Sequence, residues 1–334
     1  MPQLRQDRLT QEWVFVATES SKPEQFVVKR VRKPQPTFDP GCALCPNPEH
    51  HQTPELLHLP LVGTGSAMRI VTLTTSVPTL AASATLAARV FRGQAEGLSL
   101  QELVVETHDH SMHTALLPDS NLVNVIRVLK ARYDELSCDP RLAHVTIAKR
   151  HGSKAGAAYE HSHWQLTATD AVPAQVSGWL QHARQHYGKS GTCIYCVALQ
   201  EEVETGARIV LAGEHFVALE PFASPSPFCT QVYPRRHMAS FSEINAVEIH
   251  DLARVLHGVL ARFYHGLADP DFHCTLRSAP IGSMGVKYYH WSFNIVPCLA
   301  SVTAAGREVS ANSVLPEIAA EFLRAVRVER AIPA

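Results

Sequence analysis

His161-Ser162-His163-Trp164-Gln165 carries three reactive or polar side chains at every second position. Because side chains alternate between the faces of a β-strand, an extended conformation places His161, His163 and Gln165 on one face. A neutral imidazole is a nucleophile toward phosphorus, a second imidazole can bind a metal ion, and a carboxamide can donate hydrogen bonds to phosphoryl oxygens. The stretch therefore predicts a strand that handles phosphate. In a chain with 19 histidines an H-x-H pair is weak evidence alone, so its context must support the prediction.

Length and composition indicate a globular protein of two domains. The chain has 334 residues, more than the roughly 100 to 200 of a typical domain, with 46% hydrophobic and 18% charged residues and a net charge of −1. This balance argues against nucleic acid or an anionic membrane as a partner, since both require clustered Lys and Arg. No apolar run approaches the roughly 20 residues of a membrane-spanning helix, so we expect a cytoplasmic protein with no membrane partner.

Two sets of strands are predicted, each grouped around a long helix. Strands are expected at 13–17, 69–74, 103–107, 143–148, 161–167, 208–211, 215–220, 229–233, 273–277 and 288–296. Helices are expected at 119–136, 173–187, 242–267 and 316–326, the third preceded by a possible capping box, Ser240-x-x-Glu243. This grouping favours an α+β fold with antiparallel sheets and packed helices over a doubly wound parallel sheet. We divide the chain into domains at 1–172 and 173–334.

The two halves repeat one ordered set of cysteines and histidines. In each half a C-x-x-C pair is followed by a candidate histidine ligand and then, after a similar interval, by a histidine on a predicted strand. The sets are Cys42, Cys45, His110 and His161, and then Cys193, Cys196, His237 and His290. The agreement suggests a duplication, and it aligns His163 with Ser292 and Gln165 with Asn294. One nucleophile per chain, in the first half, is therefore expected.

Two thiolates and two imidazoles are the donors of a closed, tetrahedral, structural zinc site, so we predict two zinc ions per chain. The competing interpretation is that one C-x-x-C pair binds iron or is redox active. A thioredoxin-like pair opens a helix after a strand, whereas Cys42-Ala43-Leu44-Cys45 runs into prolines, which favours zinc. Spacing does not choose between His110 and its neighbours His108 and His113 as the third ligand.

Taken together, these motifs resemble the galactose-1-phosphate uridylyltransferase family. The nearer match is the two-zinc branch, which includes ADP-glucose phosphorylase, within the histidine-triad superfamily. Besides the repeated sets, the resemblance rests on Asp109-His110-Ser111, Gly156-Ala157, Pro234-x-x-His237, Arg277-Ser278-Ala279-Pro280 and Tyr289-His290-Trp291. It spans nearly the whole chain, and the ordered set is more specific than any single motif.

The resemblance implies tandem histidine-triad-like domains, a catalytic one and a degenerate one, and a homodimer. It further implies ping-pong nucleotidyl transfer. His163 would attack the α-phosphorus of a nucleotide or nucleotide-sugar substrate, and a phosphate or sugar-phosphate acceptor would then take the nucleotidyl group. Gln165 would stabilise charge on the non-bridging oxygens, while His161 would bind zinc and leave His163 uncoordinated.

The sequence departs from the family at substrate-contacting positions. The segment after the first strand retains only Lys22 as a cation, and the Asn of the early nucleotide loop is replaced by Thr75. Arg150 and Lys154 are candidates for replacing the lost phosphate contacts. In the second half, His290-Trp291-Ser292 lacks the histidine that an iron site would need. These departures favour a shifted substrate over galactose metabolism.

Two other functions remain open at this stage. One is hydrolysis or phosphorolysis of a dinucleotide polyphosphate, which uses the same nucleophile. The other, from a different class, is a catalytically inactive zinc-stabilised nucleotide-binding protein, which the lost substrate contacts favour and the joint presence of His163 and Gln165 disfavours.

Overall fold

The computed structural model describes residues 3–17, 21–27, 34–46, 97–299 and 310–328, and the backbone alone of 55–60 and 67–73. Thr75, a predicted substrate contact, lies outside these residues. The early nucleotide loop, to which the family resemblance assigns Thr75, lies outside them as well.

A ten-stranded antiparallel sheet forms the centre of the described fold. Its strands are β3 (Glu55–Pro60), β4 (Ala67–Leu73), β5 (Ser99–Val105), β6 (His144–His151), β7 (His163–Thr169), β8 (Ile209–Ala212), β9 (Phe216–Leu219), β10 (Thr230–Pro234), β11 (Phe272–Arg277) and β12 (Ser292–Pro297). They lie in the order β3-β4-β5-β7-β6-β11-β12-β10-β9-β8. A smaller sheet is made by β1 (Gln3–Gln6), β2 (Trp13–Val16) and β13 (Ser310–Asn312), in the order β1-β2-β13.

The order of the large sheet shows the duplication inferred from the sequence. From its outer edge to the centre of the sheet, the first half contributes β3-β4-β5-β7-β6. Counted in the same way from the opposite edge, the second half contributes β8-β9-β10-β12-β11. The halves join where β6 pairs with β11, with Phe272 opposite His151 and Thr275 opposite Ala148. Main-chain hydrogen bonding is thus continuous across the two halves.

Five α-helices accompany the sheets within the described residues. They are α1 (Asp119–Ser137), α2 (Ala174–Ser190), α3 (Ile194–Thr205), α4 (Ala246–Gly266) and α5 (Pro316–Ala325). The two long helices α1 and α4 occupy equivalent places in the two halves, each between two strands of its own half. In the part of the chain that the structure describes, no helix is both long and apolar enough to cross a bilayer.

The main core lies between α1, α4 and one face of the large sheet. Leu129 on α1 and Leu256 on α4 are fully buried there, together with Trp164 on β7 and Phe293 on β12. Trp164 and Phe293 make an edge-to-face contact with ring centroids 6.0 Å apart. The side chains of His163 and Gln165 lie on the other face of β7, away from this core.

Helix α4 begins later than the sequence pattern predicted. The predicted box of Ser240 and Glu243 does form, but it caps a short 3₁₀ turn at Phe241–Glu243. A second box caps α4 itself: the Asn245 side chain accepts from the backbone N–H of Glu248, and the Glu248 carboxylate accepts from that of Asn245. Asn245-x-x-Glu248 has the same capping-box pattern as Ser240-x-x-Glu243, further along the chain.

Candidate active site and metal centres

The nucleophile candidate opens strand β7. His163 pairs with Val105 on β5, and Gln165 pairs with Leu103 on β5 and Ala148 on β6. His163 and Gln165 thus share one face of the sheet, as expected. His161 precedes the strand, which begins two residues later than predicted. At this end the Glu106 N–H still donates to Ser162 O at 3.2 Å, and the His161 side chain lies beside Cys45, with Nδ1 3.5 Å from Sγ.

The first predicted metal set converges in the folded chain. Possible ligand atoms of Cys42, Cys45, His110 and His161 all lie within 4.8 Å of one another, and all four residues are buried. Cys45 Sγ lies 3.4 Å from His110 Nδ1 and 3.5 Å from His161 Nδ1. The structure places His110 in this group, whereas His113 lies in another group of possible ligands.

The second set repeats this geometry. Cys193, Cys196, His237 and His290 also lie with their ligand atoms within 4.8 Å, and Cys196 Sγ is 3.3 Å from His237 Nδ1 and 3.4 Å from His290 Nδ1. Cys193 is the N-cap of α3, so this C-x-x-C pair opens a helix. The preceding element is helix α2 rather than a strand, which differs from the thioredoxin-like arrangement considered above.

The distances fit a tetrahedral metal ion. With metal–sulfur and metal–nitrogen bonds of about 2.3 and 2.05 Å, the sulfur–nitrogen edge of a tetrahedron is about 3.6 Å. The observed separations of 3.3 to 3.5 Å lie close to that edge. In both sets the strand histidine uses its other nitrogen for a main-chain carbonyl: His161 Nε2 is 2.7 Å from Thr107 O, and His290 Nε2 is 2.9 Å from Pro234 O. These hydrogen bonds fix each ring so that Nδ1 is the nitrogen directed at the cysteines, where it would coordinate a metal ion.

In the second set one histidine and one cysteine have pKa values that suit metal ligands, whereas a hydrogen bond with Cys193, together with burial, raises the pKa of the Cys196 thiol. Burial, with the neighbouring His237, lowers the pKa of His290 to about 3, so its ring is neutral at pH 7. A hydrogen bond from Cys196, opposed by burial, lowers the pKa of the Cys193 thiol to about 5. A thiolate and a neutral imidazole are the forms that bind metal.

His163 is held in one tautomer. Its Nδ1 lies 2.7 Å from the carbonyl oxygen of His161, and a carbonyl can only accept. Nδ1 therefore carries the proton, and Nε2 keeps its lone pair. Burial lowers the pKa of His163, more than the hydrogen bond to His161 raises it, which favours the neutral ring. The Tyr159 ring packs edge-on against it, with centroids 5.7 Å apart.

A buried ion pair lies on the opposite face of β7, and no sequence pattern pointed to it. Glu106 and Lys149 are both almost fully buried, with Lys149 Nζ 3.2 Å from Glu106 Oε2. Glu106 also accepts from the hydroxyls of Thr114 and Ser162 and from the Trp164 indole. Burial raises the pKa of Glu106, but Lys149 and these donors outweigh it and the net pKa is lowered. The network anchors the residues on both sides of His163.

Arg150 is the predicted phosphate contact that reaches the site. It is exposed, and its guanidinium donates to Gln165 Oε1 at 3.0 Å. Gln165 Nε2 lies 3.4 Å from Gln101 Oε1. The Arg150 guanidinium and the Gln165 carboxamide thus lie together on the face of the sheet that carries His163. A phosphate bound there would contact both groups.

Lys154 lies in the turn between β6 and β7 and is exposed. Its backbone N–H donates to Asp271 Oδ2 at 2.7 Å. Asp271 also fills the space above Gly152, where a Cβ would come within 2.2 Å of the carboxylate carbon. With φ of +81° as well, Gly152 meets two requirements that only glycine satisfies easily.

Lys22 lies elsewhere on the fold. It precedes a 3₁₀ turn, Pro23–Phe26, whose Phe26 ring packs edge-on against Phe228 of the second half with centroids 6.0 Å apart. The neighbouring Ser21 N–H donates to Ser313 O at 3.0 Å. The role of Lys22 as a phosphate contact stays a prediction, as do those of Lys154 and Thr75.

The second half has a serine at the position that matches His163. Ser292 and Asn294 occupy β12 where His163 and Gln165 occupy β7, and Ser292 is buried. Asn294 Oδ1 accepts from Gln231 Nε2 at 3.3 Å, so it is used within the protein.

Comparison with known proteins confirms the resemblance seen in the sequence, although no protein-family model matches the chain. An ADP-glucose phosphorylase from Arabidopsis thaliana is 26% identical over 336 residues, which cover 97% of this chain and 93% of that protein. A galactose-1-phosphate uridylyltransferase from Thermotoga maritima is 29% identical over 246 residues, which cover 70% of this chain and 76% of that protein. The class expected of this chain, a nucleotidyltransferase-type enzyme, is the class to which these relatives belong.

Solved structures agree with the sequence relatives. The crystal structure of an Arabidopsis thaliana ADP-glucose phosphorylase with bound ADP-glucose has a TM-score of 0.78 at 25% identity, covering 98% of this chain and all of that one. A uridylyltransferase structure has a TM-score of 0.68 at 21% identity, which supports the fold alone. The predicted fold class, an α+β fold of tandem histidine-triad-like units with antiparallel sheets, is confirmed.

Proposed function

We propose that this chain transfers a nucleotidyl group through a covalent intermediate on His163. The observation that carries the proposal is the hydrogen bond from His163 Nδ1 to His161 O, which leaves the Nε2 lone pair free on the face shared with Gln165 and Arg150. A neutral, fixed imidazole is a prepared nucleophile.

The reaction consists of two displacements. First, His163 Nε2 forms a bond to the α-phosphorus of a nucleoside diphosphate sugar, and the bond from that phosphorus to the bridging oxygen breaks, releasing the sugar 1-phosphate. An acceptor phosphate then attacks the same phosphorus, the phosphorus–nitrogen bond breaks, and the nucleotide leaves on the acceptor. Gln165 and Arg150 stabilise the charge on the non-bridging oxygens in both steps.

The substrate class follows from the relatives and the acceptor from the chemistry. Among the sequence relatives compared above, the ADP-glucose phosphorylase matches over 97% of the chain, and the structure related to it holds ADP-glucose. ADP-glucose with inorganic phosphate as acceptor is therefore the first pair to test. UDP-sugars with a sugar 1-phosphate as acceptor are the second.

Two zinc ions, two domains and a homodimer complete the proposal. Bound zinc would hold each Cys₂His₂ set closed and contribute to folding, and it has no open position for substrate. We assign residues 1–172 to the catalytic unit and 173–334 to a degenerate unit that supports it.

The test is capture of the intermediate. Protein incubated with ADP-glucose labelled at the α-phosphorus should retain label that is stable in base and lost in acid, with release of glucose 1-phosphate. Added phosphate should remove the label as ADP. His163→Gly should form no adduct, while His265→Ala, a change at an exposed histidine of α4, should label normally.

Two results would contradict the proposal. One is label retained by His163→Gly at the wild-type level. The other is no adduct or exchange with any of a panel of ADP-, UDP- and GDP-sugars, diadenosine polyphosphates and adenylyl sulfate. Nucleotide binding without turnover across that panel would instead favour the binding-protein hypothesis.

A further inference from the structure

We propose that His113, His151 and Asp269 form a third metal site, which takes a divalent transition-metal ion such as Zn²⁺. Possible ligand atoms of the three residues lie within 4.8 Å of one another. None of the three belongs to a Cys₂His₂ set. The site does not depend on the proposed catalytic reaction.

The three residues come from distant parts of the chain. His113 lies in the turn before α1, His151 ends β6, and Asp269 follows α4. The His113 ring lies against the His151 ring with centroids 4.9 Å apart and against the Tyr264 ring at 5.2 Å. First-half and second-half residues therefore meet at this point.

The site faces away from the nucleophile. His151 is opposite Phe272 in the sheet, and their rings lie 5.1 Å apart on the helix side. Arg150, the preceding residue, points to the side of His163, since side chains alternate along β6. A metal ion at His151 would thus lie behind the sheet as seen from the active face.

An unusual backbone turn directs Asp269 to the cluster. Ala268 and Asp269 are consecutive left-handed residues, with φ of +55° and +54°. The turn is closed by main-chain bonds from Leu267 N to Phe263 O at 2.9 Å and from Asp269 N to Tyr264 O at 3.0 Å. Alanine rarely adopts this conformation, so the surrounding structure imposes it. Its result is a carboxylate turned back from the helix end toward His151.

The atomic separations allow coordination after a small adjustment. His151 Nε2 and Asp269 Oδ1 are 2.8 Å apart, a hydrogen bond in the absence of metal. Two ligands of one tetrahedral ion with bonds of about 2.05 Å are about 3.3 Å apart, so this pair must widen by roughly half an ångström. The side chains of His151 and Asp269 are 12% and 16% exposed. An ion can therefore reach them from solvent, while most of the site is shielded from water.

The donor set selects the class of ion. Two imidazoles and one carboxylate suit zinc and the other borderline divalent ions, and three protein ligands leave a position open for water or an exogenous ligand. The Cys₂His₂ sets are closed and rich in sulfur, so they hold their ions more tightly. The third site should consequently fill last and be the one emptied by mild dialysis.

The test uses the full-length protein with two zinc ions bound. Titration with Zn²⁺, followed by calorimetry and by metal analysis after gel filtration, should show one further equivalent per chain. Asp269→Asn is the decisive variant because Asn tolerates the left-handed conformation and keeps the side-chain shape. It should weaken the third equivalent roughly 100-fold or more, beyond the 10- to 100-fold typical of outer-shell partners. His113→Asn should act in the same way.

His265→Ala, four residues before Asp269 and outside the cluster, is the matched control and should bind the third ion normally. Zn²⁺ should also raise the melting temperature of the two-zinc protein, but not that of Asp269→Asn. If the two-zinc protein binds no further ion, the proposal is wrong. His151 and Asp269 would then form a hydrogen-bonded pair and not a metal site. Equal binding of the further ion by Asp269→Asn would overturn the proposal as well.

Discussion

His163 Nδ1 lies 2.7 Å from the main-chain carbonyl oxygen of His161, and His161 Nδ1 lies 3.5 Å from Cys45 Sγ. His161 therefore contacts the proposed nucleophile, His163, through its backbone and the first cysteine set through its side chain. In the second half Ser292 stands two residues after His290, where the first half has His163 two residues after His161. The two metal centres should differ in their influence on catalysis.

Cys45→Ser should lower kcat by at least the roughly 10- to 100-fold that loss of an outer-shell partner costs, because Cys45 contacts His161, whose carbonyl holds His163. Cys196→Ser should remove one metal ion and reduce stability, with little change in the kcat of the folded enzyme. Metal analysis and steady-state kinetics on both variants check this. An equal loss of kcat in the two variants would count against the special place of His161.

Lys149→Met should destabilise the protein by about 3 to 5 kcal/mol, because it leaves the buried Glu106 carboxylate without its cation. Adding Glu106→Gln should recover part of this loss, since an uncharged amide needs no cation. Denaturant unfolding of the two single variants and the double variant measures the coupling. Purely additive effects would mean that the two side chains do not interact as a buried ion pair.

Gly152→Ala should destabilise the protein by about 1 to 3 kcal/mol and raise the KM for the nucleotide substrate. The added methyl group would meet Asp271 and force the left-handed backbone of the turn before β7 to move. Gly282→Ala is the matched control, since nothing lies within 4 Å of a Cβ built there. Thermal melting and KM measurements should separate the two variants.

Glu220→Gln should stabilise the protein more at pH 8 than at pH 4. Burial raises the pKa of Glu220 well above its usual value, and among the described residues only the Thr230 hydroxyl contacts the carboxylate, through Oε1. A raised carboxyl pKa means that stability is present at low pH and is lost as pH rises above the unfolded value of about 4.5. Unfolding free energies of wild type and variant at the two pH values provide the measurement. A difference that is the same at both would refute a raised pKa.

The sequence predicted the metal sets because each pair of cysteines is local and each histidine lies at a repeated interval. It also predicted most strands, since alternating β-branched residues mark β5, β6 and β7 directly. It did not choose His110 over His113, because two neighbours in one loop differ only in where the folded loop directs them. His113 instead lies beside His151 and Asp269, two residues that are 118 positions apart in sequence.

Other elements carried no local signal. Helix α3 lies outside the four helices that the sequence pattern predicts, although its first turn contains the predicted ligand Cys196. Glu106 follows the apolar strand β5, and Lys149 lies within β6. Nothing in the local sequence indicates that these two charged residues will be buried together. Their contact arises from strand register. Ala148 on β6 pairs with Gln165 on β7, so the next residue, Lys149, comes opposite Trp164.

The pairing of β6 with β11 has a further consequence for how the chain can be divided. If the halves were separated, the edge of β6 that now meets Phe272 and Thr275 would present unpaired N–H and C=O groups to solvent, as would the facing edge of β11. Bare edges of this kind recruit other strands. The second half therefore covers an edge of the first that would otherwise be open to association with other chains, a contribution that does not depend on any chemistry of its own.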